Sequence, residues 1–170
     1  KWEFGALNIY DFSRPGPLEV YYEFIKNNYK KLSGNIFEFG VFKGKSLLAT
    51  ALLLKQLGSD KKVIGFDSFS GFPSYNINDD FDQFKNLFNS KKISENHYKD
   101  VIKNLEFRSI VLSEKVKLNS KNISNSGDFS DCNFEILQKK IKLLNLDNIK
   151  LIKGSFENTL KPDINYGESM

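Results

Sequence analysis

The chain has 170 residues, of which 40% are hydrophobic and 14% aromatic, enough for one globular domain with a buried core. Its net charge is +4, but Arg14 and Arg108 are its only arginines and its lysines are interleaved with acids, which argues against a nucleic-acid-binding surface. No apolar run approaches the roughly 20 residues of a membrane span. The single cysteine, Cys132, excludes an internal disulfide and suits a reducing compartment, so we expect a cytoplasmic protein.

The predicted elements begin with residues 1–33, an irregular arm followed by one helix over 18–29. A short apolar run at 35–41, "NIFEFGV", predicts a buried strand, and "SLLATALLLKQL" at 46–57 predicts a helix made of good helix formers. A second buried strand, "VIGFD", follows at 63–67. Strand, glycine loop, helix and strand form a βαβ unit, which predicts two parallel strands with a right-handed crossover.

Residues 74–126 differ from the rest because they are rich in Asn, Ser, Lys and Asp and contain two amphipathic helices, near 81–88 and 98–105. Because this segment between two core elements is long, we predict that it is an insertion that forms a lid over a site. Three aspartates near its first helix, Asp79, Asp80 and Asp82, are interpreted as helix-terminal charges rather than as metal ligands. The single histidine, His97, is interpreted as a surface side chain rather than as a base.

A helix is predicted over 131–144 with Asp131 as its N-cap, and a third strand over 149–153, "IKLIK". The sequence therefore predicts a single α/β domain over 1–170, with a Rossmann-like parallel sheet, flanking helices and a helical insertion.

The stretch "FEFGVFKGKS" at 37–46 ends in Gly-Lys-Ser, as a P-loop does. A P-loop has four residues between its glycine and Gly-Lys-Ser/Thr, whereas Gly40 and Gly44 enclose three. The carboxylate of Glu38, two residues before Gly40, would also repel a triphosphate. A nucleotide hydrolase or kinase that uses Lys45, Ser46 and Asp67 nevertheless stays open as an alternative, and so does a non-catalytic Rossmann-like binding module.

Read as Glu-x-Gly-x-x-x-Gly, the same loop lets the backbone at Gly40 and Gly44 press against a ligand at the start of a helix. Asp67 ends the second strand and could accept hydrogen bonds from ribose hydroxyls. Gly154 ends the third strand and would let an adenine lie against the backbone. All of these positions fall at carboxyl ends of parallel strands, where open α/β sheets bind ligands. A loop shaped only for packing and an Asp67 that only caps a turn are the structural alternatives.

These residues resemble the class I S-adenosylmethionine-dependent methyltransferases, and among them the macrocin O-methyltransferase family, which methylates sugar hydroxyls. The resemblance covers roughly 14–73 and 127–162. Its most specific parts are "FDSFSGFP" and "KGSFENTL", which lie within the longer matching segments "GNIFEFGVFKGKS" (34–46), "VIGFDSFSGFP" (63–73) and "GDFSDCNFEILQKKIKLLNLDNIKLIKGSFENTL" (127–160). The insertion departs from the family pattern, which is usually shorter there.

The resemblance implies that the cofactor is S-adenosylmethionine, and that the methyl acceptor is a hydroxyl of a small polar molecule such as a sugar or a glycosylated metabolite. It places the methionine and ribose part of the cofactor on the first glycine loop, the ribose hydroxyls on Asp67, and the adenine after the third strand. The cofactor-binding residues expected on this basis are Glu38, Gly40, Gly44, Ser46, Asp67, Ser68, Phe69, Gly154, Ser155 and Phe156.

The family fold normally has seven strands, and its acidic Mg²⁺-binding cluster and catalytic base lie on later strands. With three predicted core strands before Met170, we expect the fold to be incomplete at the C-terminus and the chain to be a fragment. The catalytic residues, and any Mg²⁺ ligands, would then lie outside it. A homo-oligomer stays open.

Overall fold

The structure, a computed structural model, describes residues 2–112, 123 and 129–169. They belong to two compact units: Lys1–Ser70 with Asp131–Met170, and Gly71–Ser130. In chain order the helices and strands are α1 Trp2–Ala6, α2 Glu19–Asn28, β1 Ile36–Phe39, α3 Lys45–Gln56, β2 Val63–Asp67, α4 Phe81–Asn89, α5 Glu95–Leu112, α6 Phe134–Leu143, β3 Ile149–Lys153 and α7 Phe156–Thr159.

The sheet of the first unit is parallel, in the order β1-β2-β3. In the register of this sheet, Val63 of β2 pairs with Ile36 of β1 and with Ile149 of β3. The α/β Rossmann-like prediction is confirmed, and so is the parallel βαβ unit. On the other edge of β1, the Asn35 amide donates to the Glu168 carbonyl at 2.8 Å and Asn35 forms a parallel bridge with Ser169.

The core of this unit lies between the sheet and helix α3. Leu47, Leu48 and Leu54 of α3 are fully buried. Gly65 in the middle of β2 allows this close approach, because a Cβ there would lie 2.3 Å from the Leu47 Cδ1 atom. Without a side chain at Gly65, Leu47 of α3 can pack directly on the strand.

The N-terminal arm differs from the irregular cap that its sequence predicts. It starts with helix α1 and buries Phe4, Ile9 and Phe12 in the core. The Tyr10 amide donates to the Lys45 carbonyl at 3.3 Å, so the arm also contacts the first residue of α3. The three buried apolar side chains explain why the segment packs instead of lying loosely on the surface.

Helix α6 begins later than predicted, at Phe134, and Asp131 is not its N-cap. The cap is Asn133, whose side-chain oxygen accepts from the Ile136 amide at 3.0 Å. Asp131 lies outside the helix and its carboxylate instead forms an ion pair with the Lys43 ammonium group. Asp131 and Asn133 are both residue types that cap helices, and the helix begins after Asn133 because its side chain accepts from the amide of the third helical residue.

The second unit contains α4 and α5. Asp80 caps α4 by accepting from the amides of Asp82 and Gln83, and Asp82 lies in the first turn of this helix. Tyr98 of α5 stacks on two phenylalanine rings of α4, with centroids 5.3 Å from Phe84 and 4.3 Å from Phe88.

The histidine of this unit, His97, is exposed, and its ring centroid is 5.9 Å from that of Phe84. The part of the predicted insertion from 113 to 126, except Ile123, lies outside the described residues, and so does Gly127. That the insertion as a whole, 74–126, forms a lid stays a prediction. No helix in the described part of the chain combines the length and the apolarity needed to cross a membrane.

Candidate cofactor site

The carboxyl ends of the three strands bring together the loops on which the sequence placed a cofactor. Backbone hydrogen bonds hold these loops side by side: the Gly40 amide donates to the Phe66 carbonyl, and the Gly154 amide to the Asp67 carbonyl, both at 2.9 Å. The loops after β1, β2 and β3 therefore form one continuous edge, as expected for a ligand site of an open parallel sheet.

The loop after β1 turns sharply, because Gly40, Phe42 and Gly44 have φ angles of +84°, +52° and +75°. The two glycines nevertheless face different surroundings. A Cβ at Gly40 would meet nothing within 4 Å, whereas a Cβ at Gly44 would lie 2.5 Å from Leu137 Cδ1 of α6. Gly40 is thus the open position against which a ligand can press, and Gly44 serves the packing of the loop on α6.

Glu38 lies under this loop, partly buried, and points its carboxylate at the start of α3. Its Oε1 atom accepts from the Ser46 hydroxyl at 2.8 Å, and the carboxylate also accepts from the Leu47 backbone amide. Gly44, the N-cap residue of α3, has no side chain that could do this. Glu38 therefore supplies the capping acceptor for α3 from the neighbouring strand.

Burial raises the pKa of Glu38 to about 7, although the hydrogen bonds from Ser46 and Leu47 oppose the rise. Its charge is therefore sensitive to pH near neutrality and to any cation placed beside it.

The position of Glu38 bears on the P-loop alternative. In a P-loop the phosphates of the nucleotide occupy the N-terminus of the helix and bind its free amides. Here the Glu38 carboxylate occupies that position and binds both the Leu47 amide and the hydroxyl of Ser46, the residue that would have to reach Mg²⁺. A carboxyl group of the protein already occupies this position and uses these donors, so the start of α3 does not favour a triphosphate.

Asp67 connects the first two loops. Its Oδ2 atom accepts from the Phe42 amide at 2.8 Å, and its Oδ1 atom accepts from the Phe69 amide at 2.7 Å. The prediction that Asp67 holds ribose hydroxyls stays compatible with these contacts, because a carboxylate has about four lone-pair positions. The turn-capping alternative is also present in the structure, since Phe69 lies two residues further along the chain.

The two residues that follow Asp67 differ in their surroundings. Phe69 is buried, with its ring centroid 4.9 Å from that of Phe134, so its side chain belongs to the core. The Ser68 hydroxyl oxygen accepts from the Ser70 amide at 3.2 Å and closes a small turn. Within this loop, Asp67 is thus the residue that presents charge to the shared edge.

The loop after β3 contains Gly154, Ser155 and Phe156. A Cβ at Gly154 would lie 2.8 Å from Thr159 Cγ2, so glycine there allows α7 to fold close to the strand end. The Ser155 carbonyl accepts from the Thr159 amide and hydroxyl, which fixes this first turn. Phe156 is 45% exposed, and its ring lies edge-on to that of Phe39.

Two aromatic residues near the site were not predicted. Phe39 ends β1 with its ring 53% exposed, stacked on Phe66 at a centroid distance of 5.0 Å and edge-on to Phe156 at 6.1 Å. Tyr166 lies edge-on to Phe66 at 4.9 Å. The sequence carries a signal for the first: Phe37 and Phe39 are two residues apart on a strand, so they share one face.

A parallel sheet with an open glycine position, a carboxylate under the first loop and another at the end of β2 is the arrangement of an α/β Rossmann-like ligand-binding domain. The sequence matches the macrocin-O-methyltransferase (TylF) family over residues 18–148, well over half of the chain. The protein therefore belongs to this family, a class I S-adenosylmethionine methyltransferase-like family, and the resemblance seen in the sequence is confirmed. No curated protein matches the chain.

Proposed function

We propose that the protein is an S-adenosylmethionine-dependent O-methyltransferase that acts on a hydroxyl of a small polar acceptor, such as a sugar or a glycosylated metabolite. The observation that carries the cofactor part is the pairing of Gly40, above which there is open space, with the Glu38 carboxylate beneath the same loop. Family membership supports the reaction type. The acceptor class rests on the family resemblance alone.

The residues present fit this cofactor in charge as well as in shape. The sulfonium and ammonium groups of S-adenosylmethionine are cationic, and the anionic groups at this edge are Glu38 and Asp67. Asp67 has acceptor positions left for ribose hydroxyls. Gly154 and Phe156 offer backbone and an exposed ring to the adenine. When bound, the cofactor supplies an electrophilic methyl carbon on its sulfonium.

What these residues contribute to the transfer is alignment. Displacement at the methyl carbon needs the acceptor oxygen, the carbon and the sulfur in line, and holding that geometry accounts for much of the rate advantage such enzymes can reach. Among the described residues, no three or more His, Cys, Asp or Glu side chains gather into a metal-binding group. We therefore assign no step to Mg²⁺ and name no catalytic base.

Calorimetric titration of the full chain tests the cofactor part, with S-adenosylhomocysteine and Mg-ATP as separate ligands. We expect binding of S-adenosylhomocysteine and none of Mg-ATP. Gly40→Ala should weaken that binding, because its methyl group enters the open space. Gly58→Ala is the matched control: Gly58 has a φ of +64°, nothing lies within 4 Å of its Cβ position, and it follows the far end of α3.

The titration also separates the alternatives. Binding of Mg-ATP without S-adenosylhomocysteine would support the hydrolase or kinase. Equal weakening in Gly40→Ala and Gly58→Ala would show that the ligand does not press on the first loop. Transfer of a labelled methyl group from S-adenosylmethionine to any of a panel of glycosides would exclude a non-catalytic binding module. The cytoplasmic location and a homo-oligomer stay predictions.

A further inference from the structure

The Asp67 carboxylate holds two separate loops at once. One oxygen accepts the amide of Phe42 in the loop after β1, and the other accepts the amide of Phe69 in the loop after β2. Both acceptor distances are short, at 2.8 and 2.7 Å. Asp67 itself is partly buried, so these hydrogen bonds are shielded from competition by water.

The residues that it holds are both in an unfavourable backbone conformation. Phe42 and Phe69 each have a φ of +52°, in the left-handed region that bulky side chains rarely adopt. Such residues persist where the surroundings over-determine them. Phe69 has a buried ring that helps to fix it, whereas Phe42 is only partly buried.

We propose that Asp67 is a positioning residue that shapes the cofactor site by clamping both loops, in addition to any contact it makes with the ribose. The clamp fixes Phe42 in the turn that follows Gly40, and so fixes the backbone against which the ligand presses. This inference rests on the proposed cofactor, but the clamp itself exists in the free protein and can be tested there.

The first measurement is amide hydrogen exchange of the full chain without ligand, comparing the parent protein with Asp67→Asn. The carboxamide keeps one acceptor oxygen and turns an NH₂ group toward the other amide. We expect the Phe42 or the Phe69 amide to lose protection, while the amides of Phe37 and Ile64 in the strands stay protected. Unchanged exchange at both loop amides would overturn the clamp, whatever the protein binds.

The second measurement is the dissociation constant for S-adenosylhomocysteine in a double-mutant cycle of Asp67→Asn and Phe42→Gly. Asp67→Asn should weaken binding by about tenfold or more, the scale of one charge-assisted hydrogen bond. Adding Phe42→Gly should restore about fivefold or more, because glycine adopts a φ of +52° without the penalty that the clamp otherwise offsets. No restoration would mean that Asp67 acts only through direct contact with the ligand, which would overturn the proposal.

A third variant changes Phe42, whose amide donates to Asp67, and leaves Asp67 itself in place. It tests the clamp even if Asp67→Asn does not fold. Phe42→Val keeps the carboxylate, but a β-branched residue is a severe outlier at that φ angle, so binding should weaken by about fivefold or more. Full affinity in Phe42→Val would contradict the proposal. If the parent protein does not bind S-adenosylhomocysteine at all, the proposed function fails, and the ligand-free exchange experiment still decides whether the clamp exists.

Discussion

Replacing Glu38 by glutamine should remove a pH dependence from the stability of the protein. Burial raises the pKa of Glu38 from 4.5 to about 7 in the folded state. Between these two values the folded protein keeps a proton that the unfolded chain has already released. The free energy of unfolding therefore falls as the pH rises through this window, and the stabilisation is complete only below about pH 4.5.

The size of the effect follows from the shift. Each unit is about 1.4 kcal/mol, so a rise from 4.5 to about 7 corresponds to at most about 3–4 kcal/mol of stability, lost by pH 8. Because Glu38 keeps some contact with solvent, we expect about 1–2 kcal/mol. Urea unfolding at pH 5 and pH 8 measures it, and the difference between the parent protein and Glu38→Gln isolates this group from the others that titrate.

Ser46→Ala is the companion variant. Its hydroxyl donates to the Glu38 carboxylate and so favours the charged form. Removing it should raise the pKa of Glu38 in the folded state further, so that the loss of stability still begins near pH 4.5 but extends to higher pH. If the parent protein and Glu38→Gln lose the same free energy of unfolding between pH 5 and pH 8, the carboxyl group does not titrate in this window, and the reasoning about its burial is wrong.

Three further outcomes are expected. The ratio of the affinity for S-adenosylmethionine to that for S-adenosylhomocysteine, measured by calorimetry, should rise from pH 6 to pH 8. Glu38 ionises in this range, and only S-adenosylmethionine places a sulfonium cation near it. A constant ratio would contradict that placement. Gly44→Ala should lower the free energy of unfolding by about 1–3 kcal/mol more than Gly58→Ala, because both strain the backbone but only the first meets Leu137; equal losses would exclude that clash. If 74–126 forms a lid, amides of 81–105 should exchange more slowly once S-adenosylhomocysteine is bound, and equal rates would refute the lid.

The strands of the sheet were predictable because their signals are local. Val63–Asp67 is a short apolar run and Ile149–Lys153 combines three apolar residues with two lysines, and the structure has both strands at the predicted residues. The strand predicted over 35–41 is shorter in the structure, at Ile36–Phe39. Helix α3 starts one residue before the prediction, at Lys45. The start of α6 was less predictable, because Asp131 and Asn133 are both good caps and lie two residues apart. Only the reach of the side chain to the Ile136 amide distinguishes them.

The roles of the loop residues depend on contacts that the sequence pattern does not contain. Gly40 and Gly44 were given one role in the sequence, as two glycines of one ligand-binding loop. In the structure only Gly40 borders open space, while Gly44 makes room for Leu137, a residue of a helix far along the chain. A sequence motif shows which positions have no side chain. It does not show which neighbouring atoms a side chain at that position would clash with.

The loop length alone left the P-loop alternative open, because one residue more or less does not exclude phosphate binding on physical grounds. The position of Glu38 is a stronger argument. A helix N-terminus attracts one anionic group, and at α3 that group is a carboxylate of the protein, bound to the Ser46 hydroxyl and the Leu47 amide. As the pH rises through about 7, a ligand at this edge meets a negative charge where a nucleotide would need a positive field. The same carboxylate that weakens the case for a triphosphate strengthens the case for a cationic cofactor.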